Sequence, residues 1–192
     1  MPIEALIEDV AMQHLAQLAA QVPADQAIVE VGTHHAANLC NMAHAAKQSN
    51  GAKAFGVDAY GTGDIYRGRP HMLQRYTSAD HDTATANIKA QHLVRQAKII
   101  VSTSTQAAQQ WDGPAIGLLV IDGEHRHESV LADYRAWQPH LAAGATIAFD
   151  DYGGSVGKQV ITAVEELVNG GEIDPVTVIG TRLATTRTTP AS

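Results

Sequence analysis

Three aspartates in the second half of the chain have the type and spacing of a metal-dependent site. Asp122 ends the apolar run LLVID, and Asp150 and Asp151 end a second run, TIAFDD. Like charges at short range disfavour joint ionisation, and a bound divalent cation is the usual relief. Carboxylates with open positions suit Mg²⁺, Mn²⁺ or Ca²⁺, of which we expect Mg²⁺. Both neighbouring acids can coordinate only if the chain turns at residues 152–154; otherwise Asp150 caps that turn and Asp151 is solvated.

The two apolar runs must be strands of one sheet for these acids to meet. A short apolar run bounded by turn residues is typical of a buried parallel strand. The stretch between the runs has apolar residues at helical spacing, namely Val130, Tyr134, Trp137 and Leu141. Strand, helix and strand then form one βαβ unit with parallel strands. If these strands are adjacent, their carboxyl ends lie roughly 5 Å apart, at the edge where open α/β sheets bind ligands.

A glycine turn and another strand-end acid indicate a second ligand. Gly32 follows the apolar run AIVEV, with Glu30 two residues earlier, and Asp58 ends the run AKAFGVD. A glycine there lets the backbone approach a ligand closely, and an acid at the next strand end is placed to accept ribose hydroxyls. The three-glycine dinucleotide fingerprint is missing, which argues against NAD or FAD. The alternative is an ordinary tight turn and a solvated Asp58.

Strands and helices alternate along the rest of the chain. We expect an N-terminal helical segment over residues 1–22, periodic over 4–20, and a further helix over 83–97. Residues 59–82 form a polar insertion and a candidate lid. This order predicts an α/β sandwich with a mainly parallel seven-stranded sheet and a C-terminal antiparallel hairpin. The predicted strands cover residues 27–32, 52–58, 98–102, 118–121, 146–149, 175–180 and 181–187.

Composition and length restrict the class of protein. The 192 residues fit a single domain over residues 1–192, and 45% apolar with 17% charged residues is normal for a globular chain. The net charge of −7 makes nucleic acid an unfavourable partner. A single cysteine, Cys40, excludes an intrachain disulfide and fits a reducing compartment. No apolar run approaches the ~20 residues that span a bilayer. We expect a cytoplasmic protein without a membrane partner, and leave homo-oligomerisation open.

The glycine turn, the strand-end acids and the closing strands together resemble a known family. The segments VEVGTHHAAN, FGVD, IDGEHRHESVLADYRAWQPHLAAGATIAFDDY and the terminal strand pair look like a class I S-adenosylmethionine (SAM)-dependent methyltransferase, over roughly residues 27–187. More narrowly, the chain is similar to the small metal-dependent O-methyltransferases of the catechol, macrocin-like and cephalosporin-hydroxylase-like groups. The resemblance implies a Rossmann-like methyltransferase sandwich, SAM as cofactor and a bound divalent metal.

The resemblance also implies roles for individual residues. His125 falls where the family carries its general base; the alternative is a loop histidine that caps the next helix. In the family pattern Asp58 meets the ribose and Ser104 the adenine, while Gly32 faces the methionine part. The implied cofactor-binding residues are Glu30, Gly32, Asn38, Asp58, Ser104 and Asp122. The implied metal ligands are Asp122, Asp150 and Asp151.

The glycine turn of this chain departs from the family pattern. The family's second glycine is Ala36 here, whose methyl group can crowd the methionine tail, and a histidine pair, His34–His35, occupies the turn. The insertion carries basic side chains that either bind an anionic substrate through guanidinium contacts or belong to a solvated lid. These are Arg67, Arg69, His71 and Arg75.

These observations predict a metal-dependent O-methyltransferase that acts on a hydroxyl of a small molecule. The metal would hold substrate oxygens beside the methyl sulfonium and His125 would take the proton, so catalysis would be mostly positioning and electrostatics. Two alternatives remain from the sequence. One is a non-catalytic cofactor-binding protein on the same fold, and the other is a metal-dependent hydrolase that uses the same carboxylates.

Overall fold

The computed structural model describes residues 7–61, 77–153 and 157–188, which form a sheet with helices on both faces. The helices are α1 (Asp9–Gln21), α2 (Ala37–Gln48), α3 (Ser78–Ala90), α4 (Ser104–Gln109), α5 (His127–Trp137) and α6 (Lys158–Asn169), with a 3-10 turn at Gln138–His140. The strands are β1 (Ala27–Val31), β2 (Lys53–Asp58), β3 (Ala97–Val101), β4 (Ile116–Ile121), β5 (Leu141–Phe149), β6 (Thr177–Ile179) and β7 (Leu183–Arg187).

The seven strands form one sheet in the order β3-β2-β1-β4-β5-β7-β6. The first five are parallel, and β7 lies antiparallel between β5 and β6. The predicted α/β sandwich, with a mainly parallel seven-stranded sheet and a C-terminal antiparallel hairpin, is therefore confirmed. Strand order reverses between β1 and β4, which makes the crevice beyond their carboxyl ends the expected ligand site.

The central strands are apolar throughout because helices cover both of their faces. All five residues of β1 are buried, as expected for a parallel strand with no solvated side. In α6, Val160, Ala163, Val164 and Leu167 are buried at helical spacing, so this helix presents one apolar stripe to the sheet. Helices α1, α2 and α3 cover one face and α4, α5 and α6 the other. No helix in the described ranges is long and apolar enough to cross a membrane.

The helix predicted over residues 83–97 is placed wrongly. It begins at Ser78 and ends at Ala90, because Thr77 and Asp80 form a capping box at its start. His92, at φ 55°, follows its end.

Strand β5 begins at Leu141, five residues before the predicted strand, and passes through Gly144 at φ 72°.

Part of the insertion lies outside the described residues. This part includes the four basic side chains that were candidates for binding an anion, Arg67, Arg69, His71 and Arg75.

Candidate active site

Asp122, His125 and Asp150 cluster at the carboxyl ends of β4 and β5. The Asp122 N–H donates to the Val31 carbonyl at 2.8 Å and the Asp150 N–H to the Ile121 carbonyl at 3.0 Å, so the sheet ladder itself places both acids. One ligand-type atom from each of the three side chains lies within 4.8 Å of the others. The structure thus brings Asp122 and Asp150 together as the βαβ argument expects, and adds the imidazole.

The electrostatics of this cluster fit a bound cation. Burial, followed by the charge of the Asp122 carboxylate, raises the pKa of Asp150 to about 8. Asp150 Oδ1 and His125 Nε2 are buried and have no hydrogen-bond partner among the described residues. A buried polar atom without a partner is costly. The two carboxylates and the unmet Asp150 acceptor therefore suit a divalent ion, which would satisfy Asp150 Oδ1 and offset the repulsion between the two carboxylates.

Asp151 points to a different set of partners. The chain turns at this residue, which has φ 54°, and Asp151 Oδ2 lies 3.1 Å from His125 Nδ1. Its other oxygen forms an ion pair with Nη2 of Arg182, which lies in the turn between β6 and β7. Asp151 is therefore not part of the cluster formed by the other two aspartates, and its role as a third metal ligand stays a prediction. Sequence reasoning missed Arg182, because only the position of β7 beside β5 brings it to the site.

Gly32 joins the turn after β1 to the carboxylate cluster. It has φ 86°, and a Cβ at this position would overlap the Asp122 carbonyl oxygen. Only glycine satisfies both the positive φ and this close backbone approach. Glycine is therefore required at position 32 because the turn after β1 packs directly against the end of β4.

A small cavity lies beside this turn and has two buried acceptors in its lining. It encloses about 40 Å³, and its lining includes Glu30, Gly32, Asn38 and Asp122. Glu30 Oε2 and Asn38 Oδ1 are buried without a hydrogen-bond partner among the described residues. Burial, with the nearby charges of Asp122 and Asp58, raises the pKa of Glu30 well above its ordinary value. The cavity therefore suits a cationic hydrogen-bond donor such as an ammonium group.

Asp58 holds the glycine turn with its carboxylate. Asp58 Oδ2 accepts from the backbone N–H of Thr33 at 3.0 Å and of His34 at 2.9 Å. Asp58 Oδ1 accepts from the Tyr60 N–H at 2.9 Å. A carboxylate has about four acceptor positions, so the predicted contact with ribose hydroxyls would use the remaining one or share those already engaged.

Ser104 lies at the start of α4 and connects that helix to α5. Its hydroxyl accepts from Trp137 Nε1 at 3.0 Å and hydrogen-bonds to Asp133. Burial raises the pKa of Asp133 to about 6, although the bond to Ser104 acts in the other direction. The described lining of the small cavity does not include Ser104, so its predicted contact with adenine stays a prediction. Asp133 was also missed from the sequence, since it reads as a solvated helix position.

Comparison with known sequences supplies a family for most of this chain. A family described as a methyltransferase domain matches residues 29–152, which include the glycine turn and all three aspartates. One relative, the uncharacterized protein y4gI of Sinorhizobium fredii (strain NBRC 101917 / NGR234), is 28% identical over 125 residues. That match covers 65% of this chain but only 13% of the relative's length.

Solved structures with this fold include several O-methyltransferases. The O-methyltransferase NovP superposes with a TM-score of 0.77 at 18% identity, over 96% of this chain and 82% of that one. An O-methyltransferase from Bacillus cereus in complex with SAH gives 0.70 at 12% identity, over 97% and 84%. TomG from Streptomyces achromogenes, in complex with SAM, gives 0.69 at 13% identity, over 95% and 81%. At these identities the likeness is one of fold.

Proposed function

We propose that this chain, which belongs to the methyltransferase domain family, is a SAM-dependent enzyme that methylates a hydroxyl group of a small molecule with the help of a divalent cation. The fold neighbours NovP and TomG are O-methyltransferases by name, which supports a hydroxyl as acceptor. Nucleic acid is a less suitable acceptor for a chain of net charge −7.

The observation that carries the proposal is that Asp122 belongs to two sites at once. Its side chain is in the cluster with His125 and Asp150, and the same residue lines the cavity beside the glycine turn. A donor molecule in that cavity and an acceptor held at the cluster would therefore be neighbours. Juxtaposition of two reactants in a fixed geometry is the main requirement of a methyl transfer.

The cluster would hold the cation through Asp122 and Asp150. When bound, a divalent cation lowers the pKa of a coordinated hydroxyl and fixes its oxygen in place. The two carboxylates converge from adjacent strands, and burial together with the charge of Asp122 raises the pKa of Asp150, so a bound cation would take the place of the proton that Asp150 otherwise retains near neutral pH.

His125 would accept the proton of the acceptor hydroxyl at Nε2. Its Nδ1 lies 3.1 Å from Asp151 Oδ2, and a carboxylate at that distance favours the tautomer with the proton on Nδ1. Nε2 is then the basic nitrogen, and it is the one without a hydrogen-bond partner among the described residues. Arg182, by its ion pair with Asp151, would hold that carboxylate in place. In this arrangement Asp151 orients the base.

The cavity beside the glycine turn would take the amino-acid end of SAM. Glu30 and Asn38 offer acceptors to the ammonium group, and Gly32 also lines this cavity. Asp58 would meet the ribose as well as hold the turn. The SAH and SAM complexes of two fold neighbours support SAM as the cofactor.

Calorimetry with S-adenosylhomocysteine (SAH), the product of methyl transfer, tests the cofactor assignment, and turnover on a panel of small hydroxylated acceptors tests the reaction. We expect micromolar binding and methyl transfer that stops with chelator and returns with Mg²⁺ or Mn²⁺. Binding without any turnover over a broad panel would favour a non-catalytic cofactor-binding protein. Turnover that persists in excess chelator would exclude the cation but leave methyl transfer in place.

A further inference from the structure

We propose that His34, His35 and Asp80 form a second metal site, separate from the carboxylate cluster, for a divalent transition ion that prefers nitrogen ligands, such as Zn²⁺, Ni²⁺ or Co²⁺. His34 and His35 lie in the turn after β1, and Asp80 lies in the first turn of α3. The histidine pair is the part of the glycine turn that the proposed methyl transfer leaves without a role. This inference therefore does not depend on the proposed function.

The three side chains already lie at ligand spacing. One donor atom from each is within 4.8 Å of the other two, and His35 Nε2 is 2.8 Å from Asp80 Oδ1. Zinc binds imidazole nitrogen at about 2.0–2.1 Å and carboxylate oxygen at about 2.0–2.2 Å. Ligand atoms around such an ion are therefore roughly 3 Å apart, so rotations of the side chains would have to bring the donor atoms closer together.

The backbone of the histidine pair is fixed from three sides. The His34 N–H donates to Asp58, the His34 carbonyl accepts from the Tyr60 hydroxyl at 2.8 Å, and the His35 carbonyl accepts from Asn87 Nδ2 at 2.9 Å. Their rings stack at a centroid distance of 3.8 Å and an angle of 18°. The fixed backbone keeps both imidazoles at one turn, and one ring would have to rotate out of the stack so that both rings direct a nitrogen at a common ion.

Asp80 divides its two oxygens between a helix cap and this site. Asp80 Oδ2 accepts from the N–H and hydroxyl of Thr77 at 2.6 and 3.1 Å, which closes the capping box of α3. Asp80 Oδ1 faces His35. The cap orients the carboxylate without using the oxygen that would coordinate the ion.

The ligand set selects a different ion from the carboxylate cluster. Two imidazoles and one carboxylate suit Zn²⁺, Co²⁺ or Ni²⁺, whereas carboxylates and water suit Mg²⁺. The side chains of His35 and Asp80 are 32% and 18% exposed, so an ion can reach them and still find open coordination positions. His34 and His35 also line the cavity beside Glu30 and Asp122, which would put the ion at the edge of the cofactor pocket.

The test is a titration of the whole chain with Co²⁺, followed by its visible absorption, at mildly alkaline pH where ordinary imidazoles are neutral. The turn variants are His34→Asn and His35→Gln. Asparagine tolerates the left-handed backbone of residue 34, which has φ 43°, and glutamine can still donate to Asp80. The matched controls are His44→Gln, which changes a histidine of α2, and Asp150→Asn, which changes the carboxylate cluster.

We expect a visible absorption band that saturates with Co²⁺. The dissociation constant for Co²⁺ should rise at least tenfold in either turn variant and stay nearly unchanged in both controls. In the unsubstituted chain, Co²⁺ should shift the imidazole resonances of His34 and His35. Three results would overturn the proposal: no Co²⁺ binding, an equal loss of affinity in His44→Gln, or a loss of binding only in Asp150→Asn. The contact of His35 with Asp80 would then only link the turn to the helix.

Discussion

At the level of single residues, the candidate site depends on carboxylates that have little contact with solvent. Glu30, Asp150 and Asp151 are all buried. Asp150 and Glu30 have raised pKa values because burial disfavours their charged forms. Such groups weaken the free protein but interact strongly with a cationic partner once it arrives, as expected of a site that binds an ion or an ammonium group.

Replacement of Asp151 separates its two candidate roles. If it orients His125, Asp151→Asn should lower turnover by ~10²–10⁴-fold, the usual worth of a positioned base, and leave the Mn²⁺ dissociation constant nearly unchanged. Mn²⁺ binding followed by electron paramagnetic resonance measures the second quantity. A fall in Mn²⁺ affinity equal to that of Asp150→Asn would instead make Asp151 a metal ligand, as the family resemblance implies.

Glu30 should reduce the stability of the cofactor-free chain at neutral pH. Its raised pKa means that the folded state holds its proton more tightly than the unfolded state, so its effect is small below the unfolded pKa near 4.5 and destabilising as pH rises above it. We expect Glu30→Gln to increase the free energy of unfolding by about 1–3 kcal/mol at pH 7, and to weaken SAH binding.

Urea unfolding at pH 4 and pH 7 measures how the stability gain of Glu30→Gln depends on pH. The gain should nearly vanish at pH 4, and the exposed Glu128→Gln should change little at either pH. A Glu30→Gln chain that is less stable at pH 7 would show that the folded state keeps Glu30 charged and paired.

At the level of secondary-structure elements, most of the site residues that the sequence predicts are those placed by strands of the sheet. Asp122 and Asp150 follow apolar runs, and parallel strands bring their carboxyl ends together, so the sequence alone places both acids at one edge. The Thr77–Asp80 capping box was readable in the sequence and would have corrected the start of α3. Arg182 was not, since it reaches Asp151 only because β7 inserts between β5 and β6.

The α4–α5 contact gives a prediction for Ser104. Ser104→Ala should lower the free energy of unfolding by about 1–3 kcal/mol, because the buried Trp137 Nε1 loses its acceptor. Since this hydroxyl is already engaged by Trp137 and Asp133, we expect the SAH dissociation constant to change by less than about threefold.

Chemical denaturation and calorimetry on the same samples measure both effects. Thr105→Ala, one residue further along α4, is the matched control and should leave both quantities unchanged. A large loss of SAH affinity with intact stability would restore the adenine contact that the family resemblance implies.

At the scale of the whole molecule, one edge of the sheet gathers the candidate chemistry. The cluster lies beyond β4 and β5, the glycine turn beyond β1, and Asp58 at the end of β2. The reversal of strand order between β1 and β4 opens the crevice that these groups share. The match to 13% of a much longer relative shows that a related segment also occurs within a larger chain.

A cation that binds only the folded chain should stabilise the whole molecule. At a Mg²⁺ concentration 100-fold above its dissociation constant, the expected gain is about 2.7 kcal/mol, seen as a higher melting temperature. Asp150→Asn should remove this gain, whereas the exposed Asp112→Asn should keep it. An equal response from both variants would assign the effect to general ionic screening of the acidic surface.

SAM and a divalent cation should bind side by side at this edge of the sheet. The most direct test is the nuclear relaxation of SAM labelled with ¹³C at its methyl group, bound to the protein, with and without Mn²⁺. We expect a strong Mn²⁺-dependent enhancement of methyl relaxation in the unsubstituted chain and its loss in Asp150→Asn. Bound SAM whose methyl relaxation is unchanged by Mn²⁺ would contradict it.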